Sequence, residues 1–111
     1  MNKAEHMRCK ECAAIIKAAA HPSRVFIIEE LAKRDHCVCE LTEMIGADIS
    51  TVSRHLAILR SAGLVSSDKD GTRVVYRLKH PCAQDFAGLA AKILRTEIQD
   101  SSRILSAANP Q

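Results

Sequence analysis

Four of the five cysteines fall into two close pairs, Cys9-x-x-Cys12 and Cys37-Val38-Cys39. Thiolates brought together in a folded chain bind soft metal or metalloid ions, and paired thiols can instead oxidise. The Cys9/Cys12 spacing is typical of tetrahedral thiolate clamps. The Cys37/Cys39 spacing is harder to use, because helical residues two apart point to nearly opposite sides. Their sulfurs converge only if Cys37 lies at or before a helix start, in extended backbone. The polar break Arg34-Asp35-His36 allows that. A set of four thiolates suits Cd(II), Pb(II) or Zn(II), and a set of three suits As(III) or Sb(III). Cys82 has no near partner in sequence, and His6, His36 and His80 read as terminal, surface or loop residues.

The chain that must position these sulfurs has 111 residues, enough for one small domain, 1–111, with a core that dimerisation would complete. Aromatic residues make up only 3%, so Leu, Ile, Val and Ala must build the core, which suits helices. No apolar run approaches a membrane span, and residues 1–10 lack the apolar stretch of a signal peptide. The expected compartment is the cytoplasm, where thiols stay reduced. Five cysteines there indicate metal or redox chemistry rather than a disulfide framework.

Hydropathy patterning orders the elements. Residues 11–20 are rich in helix formers, and His21-Pro22 ends that helix. Residues 1–10 ahead of it read as a mobile segment. Ser23 is placed to cap a helix to Lys33, with Val25, Ile28 and Leu31 on one face. A short helix from about Cys39 to Ile45 is followed by the turn Gly46-Ala47. Asp48 then caps a helix from Ile49 to Ser61, with Ile49, Val52, Leu56 and Leu59 as its buried stripe and Gly63 at its end. Asp70-Gly71 marks a hairpin within Leu64–Leu78, where Val74, Tyr76 and Leu78 alternate with Arg73, Val75 and Arg77. Residues 83–106 form a last helix with a mostly apolar stripe, and 107–111 read as a frayed tail. The order is mainly α with a β-hairpin: a winged helix-turn-helix with an additional helix at each end, whose apolar stripes a homodimer would bury.

Residues 49–79 hold six basic side chains against two acidic ones, the electrostatic footprint of a polyanion partner. The exposed face of the 49–61 helix offers Ser50, Thr51, Ser53, Arg54 and His55, a set suited to the major groove of double-stranded DNA. An enzyme is not expected. A Cys-x-x-Cys oxidoreductase needs a βαβ unit, and the chain has neither a phosphate loop nor paired catalytic carboxylates.

The stretches Cys37-Val38-Cys39-Glu40-Leu41, Ser50-Thr51-Val52-Ser53-Arg54-His55-Leu56 and Leu59-Arg60-Ser61-Ala62-Gly63-Leu64-Val65 closely resemble the ArsR/SmtB family. The resemblance continues through Asp70-Gly71 and Val75-Tyr76-Arg77 and spans roughly residues 15–98. It implies a homodimeric repressor that occupies an operator and leaves it when metal binds. By the same resemblance, Ser50, Thr51, Ser53, Arg54 and His55 would contact bases and phosphates, and Arg73 and Arg77 would touch the DNA backbone. The arsenic-sensing pattern of the family has a further Cys where this chain has Thr42. The cadmium/lead-sensing pattern joins N-terminal cysteines of one subunit to the Cys-x-Cys pair of the other, which Cys9, Cys12, Cys37 and Cys39 would satisfy. The zinc-type site of the last helix needs His, and residues 83–106 contain none. A thiol redox or persulfide-sensing repressor of the same fold is the alternative.

Overall fold

The computed structural model describes residues 1–108, with side chains through Ser102; residues 109–111 of the expected frayed tail lie outside the described residues, and 107–108 continue the last helix. Among the described residues, five helices, α1 (Lys3–Ala19), α2 (Pro22–Lys33), α3 (Val38–Ile45), α4 (Ile49–Ser61) and α5 (Gln84–Ala108), accompany three strands, β1 (His36–Cys37), β2 (Val65–Asp70) and β3 (Arg73–Leu78). A single 3-10 turn, Pro81–Ala83, leads into α5.

Local signals account for most boundaries. The Asn2 side chain accepts from the backbone N–H of Glu5 at 2.8 Å and starts α1, so helix takes in residues expected to be mobile and both Cys9 and Cys12. At α2, Pro22 occupies the first turn, where its missing N–H costs nothing. The cap is His21 rather than Ser23: its Nδ1 accepts from the Ser23 N–H at 3.1 Å. The Asp48 carboxylate caps α4 as expected, accepting from the Thr51 N–H at 2.8 Å and from the Ser50 hydroxyl at 3.0 Å. Gly46 and Gly63, at φ 77° and 79°, take the left-handed positions that end α3 and α4.

The core is assembled from Ile27, Ile28 and Leu31 of α2, Leu41 of α3, and Val52, Leu56 and Leu59 of α4, all at most 4% exposed. Leu64 and Val65 join it, with Tyr76, Leu78 and Phe86 packed against it. Ile49 does not: at the first position of α4 it is 53% exposed. Strands β2 and β3 form the expected antiparallel hairpin, Val65 opposite Leu78 and Asp70 opposite Arg73. The short strand β1 is an addition. It pairs with β3, His36 opposite Tyr76 and Cys37 opposite Val75, giving the order β1-β3-β2. Residues 34–36, read as a polar break, thus lead into a strand that ties the start of α3 to the wing.

An apolar groove of about 370 Å³ opens between α1, α2 and α5, lined by Ile16, Val25, Ile28, Phe86, Leu89 and Ile93 among others. Leu89, Ile93, Leu94 and Ile98 continue an exposed apolar stripe along α5. None of the described helices is long and apolar enough to cross a membrane.

Candidate nucleic-acid interface and thiol centre

Helix α4 presents Ser50, Thr51, Ser53 and Arg54 to solvent while Val52, Leu56 and Leu59 hold its other side in the core. The Asp48 carboxylate that caps it is held below its ordinary pKa, chiefly by the Thr51 and Ser50 hydrogen bonds. His55, expected beside these residues, turns inward. It is half-buried against His21, and its Nδ1 is buried without a hydrogen-bond partner. Burial, then the nearby charges of His21, Arg24 and Arg54, pushes its pKa down. The ring thus packs on His21 at the start of α2, and its surroundings favour the neutral form. On the wing, Arg77 pairs with Asp68 across the hairpin, and Arg60 at the end of α4 donates to the Ser67 hydroxyl at 3.2 Å.

The Cys37–Cys39 segment has the geometry its spacing requires. Cys37 is the N-cap of α3 in extended conformation, at φ −80° and ψ 160°, and Cys39 lies in the first helical turn. Their exposures differ: Cys37 is buried under the β1–β3 pairing, and Cys39 is exposed. Cys9 and Cys12 lie one turn apart on α1, both exposed, and Cys82 is exposed in the 3-10 turn. Among the described residues of one chain, no three His, Cys, Asp or Glu side chains are grouped to hold a metal ion. Cys9 and Cys12 therefore do not complete the Cys37/Cys39 pair within a single subunit.

A polar cluster surrounds Cys37. The Glu40 carboxylate reaches back to accept from the Cys37 backbone N–H at 3.3 Å, the side-chain half of a capping box. It also accepts from Arg34 at 2.7 Å and Arg73 at 3.3 Å, and it contacts His36 Nδ1 at 3.2 Å. Arg34 foremost, then the Cys37 backbone N–H and side chain and His36, hold its pKa down at about 2. His36 is not the surface residue its sequence context suggested. It is 3% exposed, and its Nε2 lies 3.9 Å from the Glu30 carboxylate with no hydrogen-bond partner. Strand β1 buries it, and no local pattern around Arg34-Asp35-His36 announces a two-residue strand whose partner is forty positions away. Arg73, expected on DNA backbone, donates from Nη2 to the Cys37 sulfur at 3.1 Å as well as to Glu40 in the DNA-free chain. That hydrogen bond is the main cause raising the Arg73 pKa.

Comparison with known proteins bears on the fold and the family. The family model described as "Bacterial regulatory protein, arsR family" matches residues 21–67, which run from the cap of α2 into β2. The uncharacterised HTH-type transcriptional regulator Rv0081 of Mycobacterium tuberculosis is 34% identical over 94 residues, covering 84% of this chain and 82% of that protein. Its crystal structure superposes with a TM-score of 0.75 at 29% identity over 92% of this chain and 99% of that one. The HTH-type transcriptional repressor SmtB of the same organism is 38% identical over 64 residues, 58% of this chain and 47% of that protein. The solution structure of the homodimeric winged helix-turn-helix domain of Mb0332 from Mycobacterium bovis, at 24% identity, has the same fold, with a TM-score of 0.78 over 90% of this chain and 93% of that one. The chain belongs to the ArsR/SmtB family, whose members are DNA-binding transcriptional regulators and not enzymes.

Proposed function

We propose that this chain is a homodimeric repressor that occupies an operator through α4 and the wing, and that releases it when a soft metal or metalloid ion binds its cysteine sulfurs. The observation that carries the sensing half is the placement of Cys37 and Cys39 at the start of α3. That helix packs against α4 through Leu41, so an ion drawing the two sulfurs together acts on the element that braces the recognition helix. Ser50, Thr51, Ser53 and Arg54 supply hydroxyl and guanidinium groups for base edges and phosphates, and Arg77 supplies a phosphate contact from the wing.

The thiolate chemistry of the donors suits As(III), Sb(III), Cd(II), Pb(II) or Zn(II). Two sulfurs make an incomplete site, so Cys9 and Cys12 of the partner subunit are proposed to complete it. The helical continuity of α1 through both residues carries them as a pair. The stripe of Leu89, Ile93, Leu94 and Ile98 on α5, with Ile16 of α1, is the proposed dimer surface, since this much exposed apolar area on a small domain calls for a covering partner.

An operator-release assay across the five ions, run beside a thiol oxidant under identical conditions, tests this. Release by one or more ions, lost in Cys37→Ser and Cys39→Ser, is the expected result. Release by the oxidant alone replaces metal sensing with the thiol-redox reading.

A further inference from the structure

We propose that Arg73 is the positioning residue that reports the state of the Cys37 sulfur to the wing: its guanidinium latches the hairpin to the start of α3, and a ligand on the sulfur opens the latch. The inference rests on the reading of Cys37 as a sensing sulfur and says how the signal leaves it.

The geometry is specific. Arg73 is the first residue of β3, opposite Asp70 at the distal end of the hairpin. Its side chain nevertheless reaches back to α3, where a single nitrogen, Nη2, serves both Cys37 Sγ at 3.1 Å and Glu40 Oε1 at 3.3 Å. The other polar contacts of the distal wing stay within the hairpin or end on α4: Arg77 holds Asp68, and Arg60 holds Ser67. Beyond the β1–β3 pairing at His36 and Cys37, Arg73 supplies the side-chain hydrogen bonds that join this wing to α3 among the described residues.

The chemistry makes the contact conditional. A thiol or thiolate accepts through sulfur lone pairs, and a guanidinium has donors only. A soft ion uses those same lone pairs and adds positive charge beside the arginine. Guanidinium and ion therefore compete for Sγ, and occupation by one weakens the other. Glu40 alone then holds the guanidinium, through one 3.3 Å contact to an oxygen that also serves the Cys37 N–H, a weaker tie than the two acceptors together. With the link to sulfur gone, the base of the wing stays on the core through Val65, Tyr76 and Leu78, but its distal end is held less firmly to α3 and samples more orientations, which weakens its grip on DNA. Linkage is reciprocal, so operator binding that favours the latched wing must disfavour ligand at Cys37.

The test uses the full-length dimer and amide hydrogen exchange across residues 65–78. Without metal, Arg73→Met and Cys37→Ala should each raise exchange in the hairpin and lower operator affinity by roughly tenfold, within the range of ordinary intersite coupling. The double variant should resemble Arg73→Met, because Cys37→Ala removes part of the link that Arg73→Met removes whole. Effects that multiply in the double variant overturn the latch. With Cd(II) as the probe, wild-type hairpin exchange should rise. Arg73→Met should still bind Cd(II), read by thiolate-to-cadmium absorption, with no further change in the hairpin. A wing brace of no signalling role would leave the Cd(II) response intact, and that outcome, or loss of Cd(II) binding in Arg73→Met, also overturns the latch. If Cd(II) binds the wild type without releasing operator, metal-induced release by Cd(II) fails, and the metal-free cycle still decides the latch.

Discussion

The imidazole of His55 on the recognition helix lies against that of His21, with ring centroids 4.3 Å apart and planes tilted by 42°. His21 is also the cap of α2, accepting the Ser23 N–H. One ring contact therefore joins the start of α2 to the middle of α4. Burial and the neighbouring charges favour a neutral His55, so its pKa in the folded chain lies below the ordinary 6.5. The unfolded chain binds that proton more readily. The stability this residue contributes is present above pH 6.5 and is lost as pH falls through the depressed folded value. Denaturant midpoints of wild type should therefore fall more steeply below pH 6.5 than those of His55→Phe, which keeps a ring and cannot titrate. Parallel curves would sink this assignment.

Glu40 works in the opposite range. Its carboxylate, held at about 2 by Arg34 and the groups around Cys37, is ionised in the folded chain well below its ordinary 4.5. Its contribution is complete above pH 4.5 and disappears as pH falls toward 2. Glu40→Gln should be less stable than wild type at neutral pH, and the gap should close on acidification. Circular dichroism during acid titration reads this directly; a constant gap from pH 6 to pH 2.5 would contradict it.

Arg54 stands exposed in the first half of α4 while Val52 and Leu56 beside it are fully buried. Truncation should leave the fold intact and remove a groove contact. Arg54→Ala is expected to lose about 1–3 kcal/mol of operator affinity and to discriminate less between operator and mutated sites. Fluorescence anisotropy with both DNAs measures it, and unchanged binding by a folded dimer would remove Arg54 from the interface.

The subunit-bridging thiol site predicts complementation. Chains carrying Cys9→Ser and Cys12→Ser, mixed with chains carrying Cys37→Ser and Cys39→Ser, should form dimers with one intact site. Thiolate-to-metal absorption at saturating metal should then return to about a quarter of the wild-type amplitude in a randomly reassorted equimolar mixture, since half the dimers are heterodimers with one of two sites, while each variant alone stays silent. A silent mixture in which heterodimers are confirmed by mass spectrometry would rule out the bridge.

The sequence by itself determined the elements whose signals are local. Asp48 and Gly63 bracket α4, the stripe of Val52, Leu56 and Leu59 turns it toward the core, Asp70-Gly71 closes the hairpin, and the spacing of Cys37 and Cys39 already demands an extended cap. Capping, turn chemistry and periodicity act over a few residues, and a single chain records them plainly. The start of α1 was missed because its first turns are polar and its only signal is the Asn2 cap. Tertiary structure alone decided what Cys37 touches. Strand β1 exists because β3 arrives beside it, and that pairing buries His36 and Cys37. It also aims Arg73 at a sulfur 36 positions earlier. The same long-range packing set His55 against His21. Neither contact has a sequence signature, because each depends on the relative placement of elements that only the assembled core fixes.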